Sequence, residues 1–69
     1  MGETGFRVID VNTGAEIGRA TFDGGQWTFS DPDTEGMVDA MRDNVGMTDA
    51  MVLDYYRGWS NGYVKTAPL

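Results

Sequence analysis

The sequence predicts one small α+β domain over residues 1–69. It has a three-stranded antiparallel meander followed by two short helices, and room for a fourth short C-terminal strand. Three observations predict this fold. The first thirty residues carry β-rich runs broken by Asn-Thr-Gly and Asp-Gly-Gly. From Ser30 onward the apolar spacing becomes helical. At 69 residues the chain holds one domain.

Phe6 to Val11 reads as the first strand and ends at Asn12-Thr13-Gly14. Phe6 and Val8 share one face, Ile9 and Val11 the other. Both faces are apolar, so the register stays open and a cover is expected on each. Glu16 to Phe22 alternates loosely and ends at Asp23-Gly24-Gly25. Gln26 to Phe29 places Trp27 and Phe29 on one face. Short turns between short strands make an antiparallel meander.

Ser30-Asp31-Pro32-Asp33 is a helix start: Ser30 or Asp31 as cap, Pro32 in the first turn, acids at the positive end of the dipole. Met37, Val38, Met41 and Val45 form an apolar stripe, and Gly46 closes the helix. Thr48 caps a second helix, with Met47 and Val52 placed as a hydrophobic staple. Val52, Tyr55, Tyr56 and Trp59 give its stripe, and Gly58 is its left-handed stop. Asn61-Gly62 then turns the chain, so that Tyr63 to Lys65 can return as a short strand.

Composition narrows the function. The chain contains no cysteine and no histidine, which removes disulfides and imidazole or thiolate metal ligands. A domain this small buries only about 60% of its unfolded surface, so its stability rests on a compact core or on assembly. Eight aromatics and 41% hydrophobic residues argue for a folded chain. No apolar run approaches the ~20 residues that span a membrane, and no signal peptide is visible. The expected setting is a host cytoplasm or a virion. Net charge is −6, and all of it falls between Asp31 and Asp54, where seven acids face only Arg42. Elsewhere Glu3, Asp10, Glu16 and Asp23 balance Arg7, Arg19, Arg57 and Lys65. Direct phosphate-backbone binding is not expected, because it needs clustered Lys and Arg.

Each candidate site has a plainer reading beside it. Asp31-Pro32-Asp33-Thr34-Glu35-Gly36 matches the start of a calcium loop, but Arg42 stands where the bidentate Glu belongs. Helix capping explains the same residues better. Glu35, Asp39 and Asp43 follow i, i+4, i+8, a line of carboxylates about 6 Å apart on a helix. It is either a solvated face or a surface for a basic partner. Five methionines (Met1, Met37, Met41, Met47 and Met51) fill core gaps or leave an adaptable groove between the helices. Ser30 and Ser60 have no base beyond carboxylates, and no phosphate-binding glycine loop appears. No enzyme activity and no cofactor are expected.

The tail Gly58-Trp59-Ser60-Asn61-Gly62-Tyr63-Val64 is dense in aromatic and turn residues, and such an end is docked on its own core or on a partner. With Thr13-Gly14-x-Glu16-x-Gly18 and Phe22-Asp23-Gly24-Gly25, it resembles small, mostly unassigned proteins of actinobacterial phages and prophages. The resemblance covers most of the chain, and the tail is its specific part. Genes of that group tend to lie near head-morphogenesis genes, which implies a role in or on the particle. No catalytic or binding residue carries over.

Two functions follow as expectations. The first is a head-associated structural or accessory protein that binds a capsid or portal-type protein or itself. Its exposed anchors would be Trp59, Tyr63, Ile9 and Val11. The second is a small inhibitor of a host or defence protein, docking through Glu35, Asp39 and Asp43, either by imitating nucleic-acid phosphates or by pairing with a basic patch.

Overall fold

The structure, a computed structural model, describes residues 4–69. Met1 and Glu3, counted above among the methionines and the balancing charges, lie outside the described residues. The elements are β1 (Thr4–Asp10), β2 (Glu16–Asp23), β3 (Gln26–Phe29), α1 (Pro32–Asp39), a π-helical turn (Ala40–Val45), α2 (Asp49–Tyr55) and β4 (Val64–Ala67). The sheet is antiparallel throughout and ordered β3-β2-β1-β4. This is the α+β architecture that the sequence predicts. The fourth strand starts one residue later than expected, so Tyr63 stays outside it.

The helical layer covers one face of the sheet. Phe6, Val8 and Ala20 from the strands meet Val38, Val52 and Tyr56 from the helical side. Burying a Val or Phe is worth about 1.5–3 kcal/mol relative to exposure. Trp27, Phe29, Met37, Met41 and Met47 surround this centre, so most of the methionines act as gap-fillers.

Helix α1 lies close on β2 because Gly18 lets it. A Cβ at Gly18 would collide with Thr34 Oγ1 and stand 2.7 Å from Asp31 Oδ1. Asp31 is the N-cap: its Oδ2 accepts from the Thr34 N–H at 3.1 Å, and its Oδ1 accepts from the Thr34 hydroxyl at 2.6 Å. Ser30 Oγ donates to the same carboxylate and accepts from the Arg19 N–H. Buried Thr34 is thereby satisfied, and the helix start is tied to β2. The Thr34 hydroxyl, helped by Ser30, holds the Asp31 carboxyl below its usual range.

The first helix does not run straight to Gly46. After Asp39 it widens into the π turn, closed by Gly46 with φ of 86°. A π turn holds about one extra residue. That residue carries Val45 off the stripe, and Val45 is exposed rather than in the core. It also breaks the i, i+4 spacing between Asp39 and Asp43. Thr48 caps α2 through the Met51 N–H. Asp49 Oδ1 accepts from Trp27 Nε1 at 2.9 Å and pairs with Arg42 Nε at 3.0 Å, fixing that end to β3. Helix α2 stops at Tyr55, three residues before Gly58 (φ 69°). Tyr55 lies edge-on to Tyr56 at 5.0 Å and is largely exposed. Among the described residues no helix is long and apolar enough to cross a membrane.

Candidate protein-binding face

The other face of the sheet carries no helix. Strand alternation directs Arg7 and Ile9 of β1, Arg19 of β2 and Lys65 of β4 to it. Arg7 and Arg19 are direct cross-strand partners, a destabilising like-charge pairing. Glu16 resolves it. Its carboxylate takes Arg19 through two N–H groups, at 2.9 and 3.1 Å, and meets Arg7 Nη1 at 3.7 Å. The Arg19 hydrogen bond first, and then the charges of Arg19 and Arg7, hold the Glu16 carboxyl below its usual range. Arg7 Nε also donates to the Pro68 carbonyl at 2.8 Å.

Ile9 was expected among the exposed anchors, and the structure corrects this: it is only 7% exposed. Its cross-strand partners are Glu16 and Lys65, whose stems flank it on both sides. Ile9 is thus buried on this face as well, as the apolar pattern on both sides of the strand anticipates.

A bulge alters the end of the sheet beyond Ile9. Val8 pairs with Gly18 and Ile9 with Glu16, so Ile17 is the extra residue on β2. It is 51% exposed. At the same end the Val11 N–H donates to the Tyr63 carbonyl at 3.1 Å. Val11 is 43% exposed and Tyr63 76%. Tyr63 sits on a fixed turn: Asn61 Oδ1 accepts from both the Tyr63 and Val64 N–H groups at 2.9 Å. Tyr63, Val11 and Ile17 are thus three exposed apolar residues at the same end of the sheet, Tyr63 and Val11 joined through their backbones. Ile17 escaped the sequence reading, although it falls out of phase with Gly18, Ala20 and Phe22.

Trp59 belongs elsewhere. It packs edge-on against Tyr56 at 5.4 Å, on the core side, and its N–H donates to Thr66 Oγ1. The Thr66 hydroxyl in turn donates to the Tyr56 carbonyl. The outward edge of β4 is paired as well, through Thr66 N–H to Trp59 O and Asn61 N–H to Val64 O. The tail is thus a clasp with one exposed ring, Tyr63, and one ring turned inward, Trp59.

The acidic residues lie on the helical layer. Glu35 and Asp43 are exposed and Asp39 is half-buried. Beside them α2 carries a shallow hollow of about 360 Å³ lined by Met47, Ala50, Met51, Asp54 and Tyr55. A wider groove of about 760 Å³ runs between α2 and the ends of β1 and β4, past Phe6, Leu53 and Leu69. Among the described residues no three Asp or Glu side chains gather as a metal site, and Asp31 is engaged as a cap. Searches against known protein families, curated proteins and solved structures found no match.

Proposed function

We propose that the protein is a non-enzymatic binding module whose working surface is the apolar end of the open sheet face. We further propose that it serves a phage as a head- or virion-associated structural or assembly accessory protein. The observation that supports binding is the exposure of Tyr63 on a fixed turn hydrogen-bonded to exposed Val11, with exposed Ile17 at the same end of the sheet. Rigid exposed aromatics of this kind are typical interface anchors. The phage setting rests on the resemblance of the tail motif. Affinity capture from infected or producing cells tests both. A Tyr63→Ala/Ile17→Ser variant should keep its fold and lose its partner by at least about thirtyfold, the scale of a hot spot of ≥ 2 kcal/mol. Unchanged capture would remove this surface, and absence from virions and assembly intermediates alike would remove the particle role.

The helical layer favours a second reading, an inhibitor of a host or defence protein, because seven acids there face only Arg42 and Arg57. On that reading capture falls steeply with salt and is lost in Asp43→Lys, with Tyr63→Ala harmless. The π turn weakens its phosphate-mimic form, since it spoils the regular spacing of Asp39 and Asp43.

A further inference from the structure

The two faces of this molecule complement each other. One presents an exposed ring, Tyr63, with Lys65 two residues away on the same face and Arg7 and Arg19 farther in. The opposite one presents the α2 hollow, whose lining is adaptable and mostly apolar (Met47, Ala50, Met51, Tyr55) and includes Asp54. Met51 is 53% exposed. We propose that the open sheet face of one copy docks on the α2 face of a second copy, with Tyr63 entering the hollow and Lys65 meeting Asp54. This rests on the reading of the sheet end as a binding surface and names its occupant.

Charge selects this pairing over the symmetric ones. Sheet face on sheet face would bring together two faces of net positive charge, since Arg7, Arg19 and Lys65 there outnumber Glu16 and Asp23. Helix face on helix face would set acids against acids. Like-charge juxtaposition across an interface is strongly unfavourable, and the crossed arrangement sets a face of net positive charge against one of net negative charge. The contact is heterologous: each docked copy still offers one unused face, so assembly continues to a ring or a filament. One aromatic anchor buries about 150–250 Å², well below the ~800 Å² per partner of a stable complex. Association is therefore weak and concentration-dependent. The net charge of −6 opposes it at long range, and about 0.15 M salt damps that repulsion while sparing contact pairs.

Sedimentation velocity of the full chain at that salt tests the proposal. The wild type should sediment faster as concentration rises from micromolar to millimolar. Tyr63→Asp and Met51→Asp should each stay folded by circular dichroism and sediment as single chains. Mixed in equal amounts, they should form a one-to-one dimer that grows no further. The intact sheet face of one then meets the intact hollow of the other, and the remaining faces carry two carboxylates. A wild type that stays monomeric at millimolar concentration, a single variant that associates like the wild type, or a mixture that does not pair would each overturn the proposal. If the wild type is monomeric yet Tyr63→Ala/Ile17→Ser still loses capture from cells, self-docking fails and the sheet end remains a binding surface for another protein.

Discussion

Single atoms decide two positions. Gly18 is required by proximity: any Cβ there strikes the Thr34 hydroxyl that completes the α1 cap. Gly18→Ala is expected to cost about 1–3 kcal/mol, the range for overpacking, read as a lowered urea midpoint at unchanged slope. Glu16 is required by charge, because it separates Arg7 from Arg19. Its folded-state pKa is lowered from 4.5, so its contribution is complete above that value and fades as pH falls through the folded one. Glu16→Gln should melt below the wild type at neutral pH, and the two melting curves should converge in acid. A gap that stayed constant with pH would contradict the bridging role.

At the level of elements, the clasp joins Thr66 to both Tyr56 and Trp59 through one hydroxyl. Thr66→Val keeps the shape and strands both backbone groups, so chemical denaturation should show a loss of about 1–3 kcal/mol. Thr66→Ser should restore most of it. Trp59→Ala should cost about 3 kcal/mol, the low end for a large aromatic, since the ring is only partly buried. The elements legible in the sequence are those with local causes: a cap at Ser30 or Asp31, which the structure assigns to Asp31, the Thr48 cap, the glycine turns and the three strands of the meander. Both irregularities were not legible. The π turn and the Ile17 bulge each insert one residue, and each changes which side chains share a face downstream. Periodicity counts residues and cannot see an insertion that leaves the count of apolar side chains the same. This is why periodicity places Val45 on the stripe and does not mark Ile17. The candidate surface differs likewise: Tyr63 and Val11 are exposed as expected, whereas Ile9 is buried, at a position whose neighbours depend on cross-strand register.

At the scale of the whole molecule, the stretch from Asp31 to Asp54 carries the whole net negative charge, and some of it is poorly placed for the fold. Asp54 occupies the last turn of α2 and Asp43 the closing part of the π turn, near the negative ends of their dipoles. Asp54→Lys and Asp43→Lys should each raise stability by about 0.3–1 kcal/mol, measured as a shift of Tm. A fall in Tm would mean that these acids hold the fold together, contrary to their exposure. The strand order carries a further consequence for folding. Strand β1 finds one neighbour, β2, a few residues away, and the other, β4, only near the opposite end of the chain, as Arg7 opposite Ala67. The meander can therefore close early, while the β1–β4 pairing must first overcome the entropy of a long loop. Docking of β4 then belongs to the late side of the barrier. Weakening the clasp, as in Thr66→Val, should quicken unfolding and leave the refolding rate almost unchanged, so the tail sets how long each molecule stays folded once formed.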